Sequence, residues 1–544
     1  MTHNRTIEKI NRRDFLALSA LGTLPGLLAA CGTQQPPAST GLSASPVKRS
    51  SPQSSPSPKP SAQPSPTNAD WSALAKSLQG TLVRPGEAQY AAAHQLFDPR
   101  FDSIQPAAVA YCASPADVQQ CLAFAHRFAL PLTPRSGGHS YGGYSTTSGL
   151  LLDVTRMNAV TVDAGSGNAT VGAGARLIDV YAALAQHNLV IPAGTCPTVG
   201  IAGLTLGGGV GVVGRKFGLT CDNLLSAQVV LADGRVLTCD TGHNSDLFWA
   251  LQGGGGGNFA VSTSFTFRTH QVTTLSLFTF SWPWHSAADV LAAWQQWAPQ
   301  APDELWSNCL LLTSANKGGS PVVHVNGVYI GAVPQLNALL QQLTSKIAVA
   351  PASRYVSSAG LLDTMLYEAG CQSVNTCHLP GQNAQGQVQR VTFNAKSDYF
   401  TSPLPSAGIN ALVNAITDRQ NSATPGSGGI GIDAFGGAIN RVAADATAFV
   451  HRSALFSIQY TANYNATNSG SDITANRSWL SNTWQAMRPY ASGAAYQNYI
   501  DPDLPDWSHA YYGSNLARLQ RVKSAYDPGN LFHFAQSIPL ASKG

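Results

Sequence analysis

The run Leu206–Gly218, LGGGVGVVGRKFG, constrains this chain more than any other stretch, because so many side chains are missing from one place. Such a segment lets other backbone come close and leaves its own N–H groups unshielded. Gly209, Gly211 and Gly214 spell G-x-G-x-x-G, the string of a dinucleotide-binding strand–turn–helix unit, and Asp233 stands about where a ribose carboxylate would follow. That unit needs a helix after the third glycine. Here Gly218 interrupts within a turn, and Asp233-Gly234 separates the apolar runs Ser226–Ala232 and Arg235–Thr238, the pattern of a hairpin. The spacing puts Asp233 in a turn and argues against a nicotinamide-type unit. A P-loop is excluded, since no Gly-Lys-Ser/Thr follows the glycines. Two readings remain: a nest of backbone N–H groups for an anion, supplied by Pro192–Gly211 as a whole, or a loop packed for steric reasons alone.

A second glycine cluster lies upstream, in Pro134-Arg135-Ser136-Gly137-Gly138-His139-Ser140-Tyr141-Gly142-Gly143. Before it, Ser114 as N-cap, Pro115 in the first turn, and Val118, Leu122 and Ala125 at helical spacing predict a helix. After it, Leu150–Val154 reads as a strand. His139 sits among glycines, so its imidazole belongs either to a functional loop or to a packed structural position.

The N-terminus reads as an export signal. Arg12-Arg13 leads into an apolar run, Phe15–Ala30, that Pro25 interrupts and that is short for a membrane span. Leu28-Ala29-Ala30-Cys31-Gly32 resembles a lipobox, with an ordinary small-residue cleavage site as the alternative. Residues 1–31 are therefore expected to be a twin-arginine, lipoprotein-type signal. Residues 32–70, rich in Pro and Ser, are expected to be an unfolded spacer. These calls place the protein outside the cytoplasm, with membrane contact only through a lipid at Cys31. Charged residues are 11% of the chain and the net charge is +4, which gives no case for nucleic acid. Among the nine cysteines no C-x-x-C occurs and no metal spacing appears; Cys112–Cys121 and Cys371–Cys377 are both candidate local disulfides.

Arg135-Ser-Gly-Gly-His139-Ser, together with Gly194-Thr-Cys196-Pro-Thr-Val-Gly200, resembles the berberine bridge enzyme-like branch of the FAD-linked oxidases, which have the vanillyl-alcohol oxidase/PCMH type of flavin domain. So do Asp246-Leu-Phe-Trp through Asn258, Asn498-Tyr499-Ile-Asp501, and Tyr511 to Gln536 with its Asp527-Pro-Gly-Asn530. The resemblance covers roughly residues 75–540. It implies an α+β protein with a PCMH-type FAD-binding domain of two subdomains at 71–272. A substrate domain at 273–494, an antiparallel sheet backed by helices, would follow, and a segment at 495–544 would return to the first domain. It implies FAD bound twice covalently, through His139 to the 8α-methyl and through Cys196 to C6. Arg135, Ser136, Gly137, Gly138 and Ser140 would surround the pyrophosphate, as would the run Gly203 to Gly211 with Gly207, Gly208 and Gly209. Asn258 and Val261 would lie on a strand holding the adenine side, and Asn498 would join the cofactor site. Val199 matches the position that gates oxygen, and a small residue there favours an oxidase over an electron-passing dehydrogenase.

For catalysis the resemblance implies Tyr499 as the base, its phenol lowered by neighbours, with Asp433 as its acidic partner. Many members have Tyr where Phe435 stands, which removes one hydroxyl. No Glu occurs between Ile430 and Arg441, so alkaloid ring closure is not expected. His451 is a candidate substrate contact, with a packed strand histidine as the alternative. The expected function is oxidation of an alcohol or hemiacetal carbon of a sugar or oligosaccharide, with molecular oxygen reduced to H2O2. The alternatives are a secondary-metabolite oxidase, such as one acting on a polyketide glycoside, and a non-catalytic surface binding protein.

Overall fold

The computed structural model describes residues 65–316, 318–465 and 467–542. The signal and lipidation calls lie outside the described residues, as does most of the spacer. The folded body begins earlier than expected. Helix α1 (Asn68–Ser77) starts inside the segment assigned to the spacer, because Thr67 and Asp70 form a reciprocal capping box. Trp71 and Leu74 then bury themselves, Trp71 packing on Phe124 at 4.6 Å.

Strands β1 (Thr81–Val83), β2 (Ala108–Tyr111), β3 (Leu132–Arg135) and β4 (Leu150–Asp153) form a sheet in the order β1-β2-β4-β3. Both β2 and β3 run parallel to β4. Parallel neighbours need a crossover, and α2 (Pro115–Phe128) provides it. Ser114 accepts from the Asp117 N–H at one end, and Ala129 closes the other at φ 47°. Leu150 and Leu152 pack under α2, while Leu151 faces Tyr90 and Val83 on the opposite side. A strand covered on both faces reads as an apolar run, which is why LLLD shows no alternation.

The second sheet is antiparallel, in the order β5-β6-β10-β8-β9: β5 (Val160–Val162), β6 (Ala169–Gly172), β8 (Leu224–Val230), β9 (Val236–Cys239) and β10 (Val261–Phe267). A short pair, β7 (Leu189–Val190) with β11 (His270–Gln271), flanks it. Asp233 and Gly234 lie in the β8–β9 hairpin, Gly234 at φ 85° donating its N–H to the Leu231 carbonyl (2.9 Å). Between β6 and β8 the chain forms α3 (Leu177–Ala185), α4 (Ile201–Leu206) and α5 (Gly214–Phe217). Helix α5 is a single turn closed by Gly218 at φ 87°, so the G-x-G-x-x-G string opens no crossover helix.

A seven-stranded antiparallel sheet makes up the second domain, ordered β15-β12-β14-β13-β17-β18-β16. Its strands are β12 (Leu275–Pro283), β13 (Leu305–Leu312), β14 (Val322–Ile330), β15 (Ser353–Ala359), β16 (Thr392–Phe400), β17 (Ser427–Ala434) and β18 (Phe456–Tyr464). The period of two sorts its side chains. Cys309, Leu311, Ile430, Ile432, Ile458 and Tyr460 face a helical layer of α6 (Ala287–Trp297), α7 (Val333–Thr344), α9 (Ser406–Asn421) and α10 (Gly470–Met487), and form one core with Trp294, Leu336, Leu412 and Leu480. Their neighbours Asn308, Leu310, Asp433, Gln459, Thr461 and Asn463 face the first domain. Helix α8 (Leu361–Glu368) covers part of that same side, packed on α3.

The chain then returns. Tyr511, Leu519, Phe532 and Ile538 join the core of the first domain. Lys523, on α11 (Leu516–Tyr526), is buried with Asp527 (2.6 Å) and donates to the carbonyls of Asn258 (2.7 Å) and Phe532 (2.6 Å). Of the two candidate disulfides, Cys371–Cys377 is formed, while the sulfurs of Cys112 and Cys121 stand 3.9 Å apart as thiols.

Candidate active site

One cavity of about 320 Å³ lies between the domains, the usual place for a ligand site. Its floor is the loop after β3, the segment 194–204, and the loop 255–258; its roof is the polar face of β13, β17 and β18. The turn 496–500 closes one end. The loops of the floor meet through glycines. A Cβ on Gly137 would collide with the Gly200 backbone, and one on Gly200 with Ser136 Oγ. This close approach brings His139 and Cys196 onto one surface.

His139 stacks on Phe97 (ring centroids 4.1 Å apart) and its Nε2 meets Thr198 Oγ1 at 2.8 Å. Burial, aided by the Arg176 charge, pushes the imidazole down to about 3, so it is neutral. Cys196 lies in the same floor and is partly exposed to the cavity. Val199 lines the wall between them and α3. Ser136 donates to the Ala173 carbonyl (2.7 Å), and Ser140 accepts from the Tyr144 N–H (3.0 Å), which fixes the loop.

Several expected cofactor residues are placed otherwise. Arg135 lines the cavity, and its guanidinium is buried and held by Asp153 (2.5 Å) and the Ala93 carbonyl (2.6 Å), so it also braces the loop. Gly207, Gly208, Gly209 and Gly211 do not line the cavity. A Cβ at each would strike Asn498, Phe449, Thr220 and the Ala193 carbonyl respectively, so the steric reading holds for this run. Gly203 does line the cavity, on the open side of α4, where a Cβ would meet nothing within 4 Å. Asn258 precedes β10 and is not on it. Its amide ties Gly254 (3.1 Å), and its Oδ1 receives the Ile538 N–H (2.9 Å), so it organises the 255–257 loop. Val261 begins β10 and lines the cavity. Asn498 also lines it, with its amide donating to the Leu204 carbonyl (3.0 Å) and to Tyr496 Oη (2.8 Å).

The turn bearing Tyr499 is anchored by Asp501, which forms a buried ion pair with Lys396 of β16 (2.6 Å). Tyr499 stacks parallel to Tyr141 at 5.4 Å. Contrary to expectation, its phenol is raised well above 10, by burial first and then by Tyr141, Asp433, Tyr496 and Cys196, so Tyr499 is protonated near neutrality. Asp433 is no solvated edge carboxylate. Burial lifts it to about 7, tempered by Asn308 directly opposite on β13. It is thus the group of this pair that titrates near neutrality. Phe435 points into a closed cluster with Tyr399 and Ile439, so a hydroxyl there is not missing from the cavity. His451 lies in a loop, stacked on Tyr399 at 4.4 Å and away from the cavity.

Sequence reasoning missed Gly255, Gly256 and Gly257, which line the floor, and Tyr141, two residues after His139. It also missed Gln459, Thr461 and Asn463. Their signal was present in FSIQYTANY, whose polar residues alternate with buried Ile458, Tyr460 and Ala462.

A floor of bare backbone beneath a sheet that presents a titratable carboxylate is a site for a large ligand beside an acid–base group. Known proteins agree. Residues 106–240 match the FAD binding domain family and residues 495–539 match the family described as berberine and berberine like. An uncharacterized FAD-linked oxidoreductase of Bacillus subtilis, YvdP, is 34% identical over 85% of this chain and 98% of its own. BBE-like 1 of Physcomitrella patens superposes with TM-score 0.79 at 34% identity, covering 87% of this chain and 99% of that one. The xylooligosaccharide oxidase of Myceliophthora thermophila C1, solved in complex with xylobiose, gives 0.76 at 27% identity over 87% and 99%. The chain belongs to the berberine bridge enzyme-like family of FAD-linked oxidoreductases. The residues present fit FAD: Gly203, Gly256 and Gly257 line the cavity and leave open a floor that side chains would fill.

Proposed function

We propose that the protein is an oxidase that takes a hydride from an alcohol or hemiacetal carbon of a carbohydrate and reduces molecular oxygen to H2O2. His139 and Cys196 would hold FAD covalently, with the backbone of Gly137, Gly138, Gly203 and Gly255–Gly257 lining the cavity that would receive it. Bound FAD supplies the acceptor for the hydride and the route of two electrons to oxygen. Asp433 receives the hydroxyl proton, since a base with a pKa near 7 is ionised enough to act and basic enough to accept. Tyr499 remains protonated and orients the substrate oxygen between Asp433 and the cofactor. The carrying observation is that His139, Cys196, Tyr499 and Asp433 line one cavity, with the neutral His139 and Cys196 in the floor and the titratable carboxylate in the roof. A carbohydrate suits that roof: Gln459, Thr461 and Asn463 offer hydrogen bonds, while Tyr141 and Phe393, edge to face at 4.7 Å, offer ring surface. The twin-arginine leader and Cys31 accord with an enzyme exported with its flavin bolted in and tethered at the envelope.

The test is colour after acid precipitation of the purified protein. Yellow is expected to stay with the pellet, to persist in His139→Ala and in Cys196→Ala, and to be released in the double variant. A colourless wild-type pellet overturns the covalent reading. A peroxide screen over cello-, malto-, xylo- and chito-oligosaccharides then tests the substrate class. Peroxide from non-sugar alcohols alone moves the assignment to a secondary-metabolite oxidase.

A further inference from the structure

The two motif loops of the floor are joined by one side-chain hydrogen bond. His139 stands in the first loop. Thr198, two residues after Cys196, stands in the second, and its Oγ1 lies 2.8 Å from His139 Nε2. Thr198 is 0% exposed. A buried hydroxyl costs stability unless it is bonded, and His139 is the partner this one has. Its position is set from both sides, since the Ile178 and Leu177 N–H groups donate to the Pro197 (3.1 Å) and Val199 (3.0 Å) carbonyls. Phe97 fixes the plane of the imidazole, the two rings lying within 19° of parallel. Phe97 is itself packed with Val388, Phe393 and Ala395, and its N–H donates to the Gly138 carbonyl (3.0 Å). A stacked ring can still turn within its own plane. The bond to Thr198 stops that turn and decides which ring nitrogen is occupied.

We propose that Thr198 is a positioning residue for the flavin bond at His139: its hydroxyl engages Nε2, which leaves Nδ1 as the nitrogen that bonds the flavin methyl carbon. The inference rests on the covalent reading given above. In the bond-forming step Nδ1 joins the methyl carbon. That carbon gives up one hydrogen, and Nε2 gives up its proton. The electron pair released passes through the flavin ring to molecular oxygen, which leaves with both protons as H2O2. A neutral imidazole has one N–H and one lone pair, and here the lone pair must be on Nδ1. Nε2 is therefore a donor before the bond forms and an acceptor after it. A hydroxyl answers both states, because it accepts as well as donates, and so holds the ring in one attitude throughout the step. Valine, of the same shape, answers neither.

The test reads acid-stable flavin per protein, not turnover, in backgrounds that keep one tether each. Cys196→Ala leaves only the histidine bond, and its acid pellet should be yellow; a colourless pellet removes the histidine tether and the inference with it. Adding Thr198→Val to Cys196→Ala should lower the acid-stable flavin by roughly tenfold or more, the worth of one hydrogen bond to a reacting group. Thr198→Ser in the same background should restore it. Adding Thr198→Val to His139→Ala, where only the cysteine bond remains, should change nothing. That arm also shows that the floor still folds. Full colour in Cys196→Ala/Thr198→Val, with Cys196→Ala itself yellow, overturns the inference alone. So does an equal loss in both backgrounds, which would make Thr198 a packing residue, or a loss that serine does not restore. An independent readout is the flavin peptide cut from Cys196→Ala. It should be a single isomer, bonded through Nδ1; two isomers of equal mass, one through each nitrogen, also overturn the proposal.

Discussion

The two long walls of the cavity are made of opposite materials. The floor is backbone: Gly137, Gly138, Gly203 and Gly255–Gly257 present peptide groups, and the side chains nearby are mostly turned elsewhere. The roof is side chain: Asn308, Asp433, Gln459, Thr461 and Asn463 hang from strands whose alternate residues are locked in the helix-covered core. Backbone cannot be varied residue by residue without moving the fold, whereas a strand's exposed face can. The floor thus suits a constant cofactor and the roof a variable substrate. The same contrast divides the glycines. Those at 207–211 let segments touch, and those at 203, 256 and 257 leave room.

The largest effect should come from breaking the first kind of glycine. Gly211→Val sets a branched side chain against the Ala193 carbonyl, a backbone atom that cannot turn aside. The cost should reach or exceed about 3 kcal/mol, the upper end of overpacking, and be seen as loss of soluble protein or a strongly lowered melting temperature. A near-normal melt would show that the run is looser than its contacts state. Breaking the second kind should do the reverse. Gly203→Leu places a good helix former in α4 where a Cβ meets nothing, so the flavin-free protein should be as stable or about 1 kcal/mol more so. Its flavin-to-protein absorbance ratio should fall well below that of wild type. If flavin is retained in full, Gly203 is not part of the cofactor floor.

The two kinds of glycine look alike in the sequence. Gly207 to Gly211 are judged only by what they touch, and Phe449 and Asn498 arrive from far along the chain. Local chemistry was more legible. The Ser114 cap, the Asp233-Gly234 turn and strand Val322–Ile330 were all written in neighbouring residues, and His139 and Cys196 announced themselves through short motifs. The bracing role of Arg135 was not legible, because its partners, Asp153 and the Ala93 carbonyl, are tertiary. The direction of the Tyr499 shift was not legible for a related reason. A phenol's direction of shift depends on burial and on the charges that surround it, and no spacing encodes either.

The smallest expected effect tests the roof. Thr461 faces the cavity, is 7% exposed, and its Oγ1 has no hydrogen-bond partner among the described residues. A buried hydroxyl left unpaired costs stability, so the isosteric Thr461→Val should leave the melting temperature unchanged or raise it slightly. If the hydroxyl is there for the substrate, the same change should raise KM by about tenfold, the worth of one neutral hydrogen bond. It should leave kcat and the flavin spectrum alone, because Thr461 is neither in the floor nor beside Asp433. A higher melt with unchanged KM would place the sugar elsewhere along the roof, toward Phe393 and Tyr141. A loss of flavin would break the division between the walls itself.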